Sequence, residues 1–291
     1  MNSSISISEP AAWRRHLRRY LLALGLAAGL LLAGLLALDP YDSGRFALVP
    51  TVGVPAFGQR LADASRGRDP AFDSAVFGNS TIQLLRPARL DALLGHRFVN
   101  LSVPGTGPFE QVVLLDWFSR HHPGGVLIFG LDLAWCRPGE RFSAAMAPNP
   151  FPFWLYGNDR LDYIAHMFNF KVIEAAGRKI KLLAGRAPSA RRDGFDDYEA
   201  GKTYDLAAAR ARFGAPETGA AGEIERAAVD AGGEGSDFTA LEALDARVNA
   251  LPLQTAAVLV FPPRRAASLP PPGSSAAATV EACKQAAAAV V

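Results

Sequence analysis

The chain has 291 residues, 49% of them hydrophobic, enough for one large core once an amino-terminal segment is set aside. Its formal net charge is +2, but before Asp39 the arginines 14, 15, 18 and 19 stand against Glu9 alone, so the positive excess belongs to that terminus and the body is near neutral. A body without surplus cations offers little to a phosphate backbone, which excludes nucleic acid as an expected partner.

Residues 1–19 read as a cytoplasmic segment and residues 20–38, YLLALGLAAGLLLAGLLAL, as a transmembrane helix, because 19 uncharged residues just cross a bilayer. Arginines flank its start and Asp39-Pro40 ends it, so the positive-inside rule puts the amino end in the cytoplasm and the body outside. A cleaved signal peptide is the alternative. Against it, the apolar run is longer than the usual signal core and no small-x-small site precedes Asp39.

Residues 39–71 are rich in Pro, Gly and Asp with little periodicity, and read as a connector lying over the domain surface. Three apolar runs follow, each ending in a glycine-bearing turn. FDSAVFGNS (72–80) predicts a strand over 72–77 and then Ser80 at a strand-to-helix corner, with a helix over 81–94 restarted by Pro87 and closed by Gly95. RFVNLSVPGTGPFEQ (97–111) predicts a strand over 97–103, the turn Gly105-Thr106-Gly107, and a helix over 108–121 with Glu110 in its first turn. GVLIFGLDLAWC (125–136) predicts a third strand over 125–131 that ends on Asp132. Alternating strands and helices imply a doubly wound, mostly parallel three-layer α/β sheet, which builds sites from loops at the carboxyl ends of its strands. Ser80 is there either a nucleophile beside the N–H groups that open a helix, or that helix's cap.

Beyond Cys136, residues 137–158 carry four prolines and, from Phe151 to Tyr156, four aromatics. They form a platform over Ser80 or simply pack an insertion onto the domain. A helix is expected over 159–185, with Leu161, Ile164, Phe168, Val172 and Ile173 as its apolar stripe and a basic carboxyl end that suits either solvent or anionic lipid. Residues 186–238 read as a variable insertion, including the acidic linker AGGEGSD (231–237), which lacks the Lys-Ser/Thr of a phosphate loop. A helix over 238–250, a strand over 256–261 and a last helix from Ser274 or Ser275 to the final residue complete the chain.

VFGNST, NLSVPGTG and FGLD resemble the first three blocks of the SGNH/GDSL hydrolase family, in order and rough spacing, and in particular its membrane-anchored bacterial envelope members. The resemblance covers residues 70–135 well and 255–290 loosely. It implies a flavodoxin-like sheet on the periplasmic side of the inner membrane, single-pass anchoring, and a serine esterase acting on an O-acyl group of an envelope glycan or lipid. Ser80 then matches the nucleophile, Gly105 the oxyanion glycine, and Asp132 a block where the family carries asparagine. The first block reads Gly78-Asn79-Ser80 where the family commonly has Gly-Asp-Ser. An ionised Asp132 accepts but cannot donate a hydrogen bond to an oxyanion, so it is protonated, or it orients another group, or hydrolysis is lost and a non-catalytic binding protein remains.

The family's Asp-x-x-His block would follow the last strand, yet no histidine occurs after His166. Residues 1–291 therefore read as a truncated chain lacking that block and expected to be inactive, or as a degenerate protein, or as one that recruits His166, with Asp162 one turn before it. His16 belongs to the amino-terminal flank and His96 to the opposite end of the sheet. His121 and His122 lie at a helix carboxyl end that favours cations. No metal-ligand spacing and no cofactor motif is present. The two cysteines, Cys136 and Cys283, are either a disulfide of an exported domain or buried free thiols.

Overall fold

A computed structural model describes residues 10–46, 48, 53–56, 58–208, 211, 237–264 and 269–290. Its frame is a four-stranded, all-parallel sheet: β1 (Ser74–Phe77), β2 (Phe98–Asn100), β3 (Gly125–Gly130) and β4 (Thr255–Val260), in the order β2-β1-β3-β4. Val76 pairs with Asn100 on one side and Ile128 on the other, and β4 runs in register with the whole of β3. Three strands lie within two residues of their expected ranges, because each is a short apolar run that a doubly covered sheet can bury on both faces, whereas the strand expected over 97–103 ends three residues early, at Asn100.

Side chains alternate across the pleat. Ala75, Phe77, Leu127 and Phe129 enter the main core with Leu114, Leu115 and Phe118 of α4 (Pro108–Ser119) and Leu241 and Leu244 of α8 (Thr239–Val248). Val76, Phe98 and Ile128 point the other way, beneath Ile82, Leu85 and Leu90, the last from α3 (Pro87–Leu94). Helices therefore cover both faces.

The helix expected over 81–94 is shorter than its apolar pattern suggests. Residues 80–84 form a turn and α3 begins only at Pro87, since the residue before a proline is pushed out of helical space and Arg86 adopts φ −83°, ψ 115°. Gly95, at φ +71°, closes α3 as expected.

The apolar terminus is one helix, α1 (Pro10–Leu38), the only helix among the described residues long and apolar enough to cross a membrane. Its far end is not loosely tethered. Residues 39–71, expected as a surface connector, instead bury Asp39, Tyr41, Asp42 and Ser43 and form α2 (Gln59–Arg66), whose Ala62–Arg66 stretch is buried. The reason is a polar cluster that hydropathy cannot register. Lys179 donates to the carbonyl of Asp39 at 2.7 Å and pairs with Asp42 at 3.4 Å, while Arg68 and the Ser65 hydroxyl also hold Asp42. Asp39 in turn accepts from Ser43 and from the phenol of Tyr163.

The single helix expected over 159–185 is two: α6 (Arg160–His166), capped by Asp159, and α7 (Phe170–Leu183), capped by Asn169. A side-chain cap at Asn169 competes with helix continuation and restarts the chain. The stripe is also rotated: Tyr163, Met167, Val172, Ala175, Ala176 and Lys179 face inward, whereas Leu161, Phe168 and Ile173 are exposed. Between them and the sheet, the short α5 (Phe153–Tyr156) buries Leu155 and Tyr156 against the domain. Within 186–238, part of the expected insertion packs: Asp193 accepts from the backbone N–H of Asn100 at 2.8 Å and so covers the β2 edge. Most of the remainder, including the 231–236 linker, lies outside the described residues, as does Arg265.

The last helix, α9 (Ser275–Ala288), is capped by Ser274 and ends before the chain does. Cys283 on its inner face forms a disulfide with Cys136, just beyond β3. Of the two readings of the cysteines, the bridged one is what the fold contains.

Candidate active site

Three loops meet at the carboxyl edge of β1 and β3. Gly78 makes that meeting possible: it sits at φ +150°, and a Cβ there would come within 2.6 Å of Ile82, while a Cβ on Gly130 would meet the same side chain at 2.8 Å. Only two glycines let Ile82 close over the ends of both strands. The backbone carbonyl of Gly78 accepts from the N–H of Val103 at 2.9 Å, which ties the second loop to the first. Thr106 locks that loop by donating to the Val103 carbonyl at 2.7 Å, and Gly105 turns it at φ +65°.

Asn79 is the hinge of the arrangement. Its side-chain oxygen accepts from the backbone N–H of Thr81 at 3.0 Å and from the Thr81 hydroxyl at 2.8 Å. A backbone N–H can only donate, so the amide orientation is determined and its NH2 must face Asp132. It does so, donating to the Asp132 carboxylate. The other oxygen of Asp132 accepts from the N–H of Ala134 at 2.9 Å and caps the 3-10 turn Leu133–Cys136. Burial pushes the Asp132 carboxyl above its ordinary pKa, opposed by Ala134, Arg264, Asn79 and Arg137. The contact with Asn79 bears on the orienting role of Asp132, and the upward shift bears on its protonated one.

Ser80 therefore sits differently from its expected corner. Asn79, not Ser80, caps the turn, and no helix opens at Ser80 to lend it a row of free N–H groups. The Ser80 side chain is exposed, and its hydroxyl has no hydrogen-bond partner among the described residues. Tyr198 donates to its backbone carbonyl at 3.3 Å.

Gly105 has neighbours that the sequence did not announce. Arg60 donates to the carbonyls of Pro104 and Gly105 at 2.8 and 3.0 Å, and Asn149 donates to that of Gly105 at 2.9 Å. Residues 137–158 thus touch the candidate site through Asn149, whereas Tyr156 packs inward and donates to the Arg60 carbonyl. The signal for Asn149 was its place between Pro148 and Pro150, where a fixed backbone aims a polar side chain; for Arg60 there was none.

The histidines are dispersed. His166 lies 3.1 Å from Asp162, as the spacing predicts, but it stacks on Trp154 and lines a cavity of about 640 Å³ shared with Arg60, Phe151 and Lys171. No hydrogen bond or ion pair joins it to Ser80 among the described residues. His96 meets Asp73 at the amino edge of β1. His121 and His122, expected to favour charge at a helix end, are instead pushed below the ordinary histidine pKa by burial, partly opposed by the carbonyls of Trp117 and Gly67 that their rings bond. Among the described residues no three His, Cys, Asp or Glu side chains converge as metal ligands.

Glu110 is an unexpected feature of the second loop. One oxygen accepts from Gly107 at 3.1 Å and the other is buried without a partner, so burial raises its pKa to about 7. Buried Asp63 is likewise raised, to about 6. An acid whose folded pKa exceeds its unfolded value binds its proton better when folded, so stability falls as pH rises through that interval and then levels. We expect the wild-type unfolding midpoint in detergent to fall relative to that of Glu110→Gln, which mimics the protonated acid, as pH rises from about 5 to 8, a comparison from which Asp63 and the histidines cancel; a difference independent of pH would refute the assignment to Glu110. Comparison with protein-family models, curated proteins and solved structures finds no match to this chain.

Proposed function

We propose that the carboxyl edge of the sheet is an SGNH-type ester-hydrolase site with Ser80 as nucleophile, acting on an O-acyl group of an envelope glycan or lipid. In this reading α1 anchors the domain in the bacterial inner membrane and the domain faces the periplasm. The observation that carries it is the hydrogen bond from Asn79 to Asp132. The resemblance expects an acid in the first block and an amide in the third; this chain has the amide first and the acid third, and the two meet. The two departures thus touch each other, the amide donating to the acid, a contact that fixes the turn before Ser80 and leaves oxyanion donation to backbone N–H groups. The Ser80 hydroxyl remains open to solvent, and the backbone N–H groups of Ser80 and Gly105 are the oxyanion donors of this reading.

Asp132 accepts rather than donates, and no histidine contacts Ser80 among the described residues; both favour a second reading, a non-catalytic envelope protein that binds acylated ligands in the same cleft. Without a base, turnover drops by several orders of magnitude. The 1–291 chain should therefore hydrolyse short-chain esters negligibly while Ser80 still reacts slowly with a fluorophosphonate. Labelling that survives Ser80→Ala overturns the nucleophile assignment. Absent labelling together with saturable binding of an acetylated glycan supports the second reading.

A further inference from the structure

We propose that α7, entered through Phe168, lies on the lipid surface beside α1 as an interfacial helix, with Phe170, Ile173 and Ile180 directed into the membrane. The inference rests on the reading of α1 as a membrane anchor.

Three faces of α7 have three environments. Val172, Ala175, Ala176 and Lys179 are buried in the domain. Lys171, Glu174, Arg178 and Lys181 are exposed and form a polar arc. Phe170, Ile173 and Ile180 are also exposed, at 79%, 43% and 57%, and Phe168 before them at 59%. At roughly 100° per residue, Phe170, Ile173, Gly177 and Ile180 fall within an arc of about 80°, between the buried face and the polar one. A helix in water has two faces; a third, apolar face adjoining the core is what a helix at a lipid boundary needs.

The occupant of that face follows from α1. The last turn of α1 packs on the domain through Leu35, and α1 touches α7 directly. The buried Lys179, in the middle of the inward face of α7, holds the carbonyl of Asp39 immediately after the last residue of α1. Leu48, 83% exposed, is bonded through its backbone to Ala37 at the same level. The end of the apolar span and α7 are therefore one fixed unit, and a bilayer that receives α1 meets α7 where the span ends. Cations on the polar arc suit the anionic headgroups next to it.

The test uses the full chain in nanodiscs of phosphatidylethanolamine and phosphatidylglycerol. Because Cys136 and Cys283 are bridged, an introduced cysteine is the only free thiol for an environment-sensitive NBD label. Labels go at Phe170→Cys and Ile173→Cys, at Leu26→Cys within α1, and at Leu93→Cys on α3 as the aqueous control. Nitroxide lipids, labelled near the headgroup or deep in the chain, report contact. Expected is loss of about half the fluorescence at 170 and 173 with shallow nitroxides and at 26 with deep ones, and none at 93. If 26 is quenched while 170 and 173 behave like 93, the anchor reading stands and the interfacial helix is wrong. If 26 itself escapes quenching, the anchor reading fails and this inference falls with it.

Discussion

Replacing Lys179 with alanine is expected to destabilise the protein by about 3–5 kcal/mol, the usual cost of removing one partner from a buried ion pair. Lys179 and Asp42 have fully buried side chains, so the carboxylate loses a partner in a place without bulk solvent. Arg68 and Ser65 would still hold Asp42, which places the effect below complete unfolding, but the Asp39 carbonyl at the end of α1 would lose its donor. For a chain of this size the thermal midpoint should fall by roughly 10 °C. Lys179→Met retains most of the stem and should do no better, because charge rather than volume is missing. Arg178→Ala is the contrast: its pair with Glu174 is half exposed and should contribute about 0.5 kcal/mol or less. Thermal unfolding in detergent measures all three, and a Lys179→Ala midpoint equal to that of Arg178→Ala would mean that the cluster does not hold α1 to the domain.

The second large effect is expected from the disulfide. Cys136 and Cys283 are 147 residues apart, and closing a loop of that length lowers the entropy of the unfolded chain by about 5 kcal/mol in the loop-closure model, with measured losses commonly 2–5. The inner face of α9 otherwise offers mainly Val280 and Ala287, little apolar surface with which to hold a helix. Cys283→Ser should therefore release α9 before the sheet opens. Hydrogen exchange would show 275–288 losing protection first, with β1 and β3 unchanged. Denatured but unreduced wild-type protein should react with no equivalent of thiol reagent; two modified cysteines would remove the bridge from the account altogether.

The sequence by itself determined the strand positions, the alternation that makes a parallel sheet, the apolar span, and the three loops that carry Ser80, Gly105 and Asp132. These are local matters: an apolar run of four to six residues, a glycine turn, a proline at a helix start. It also supplied the pairing of His166 with Asp162, since one helical turn fixes that distance without help from the fold. Only the tertiary structure decided the rest. The buried cluster of Asp39, Asp42 and Lys179 looks in sequence like a polar connector and a distant basic helix, because each charge gains its partner from about 140 residues away. The inward face of α7 was misjudged for the same reason: a buried lysine counts as polar until its carboxylate is known. Asn79 and Asp132 each look like a departure from a pattern when read alone, and become a donor and an acceptor only when β1 and β3 lie side by side. Hydropathy and spacing register what a residue prefers on average, whereas burial of a charge or an amide depends on one specific partner, and the fold alone brings that partner within reach.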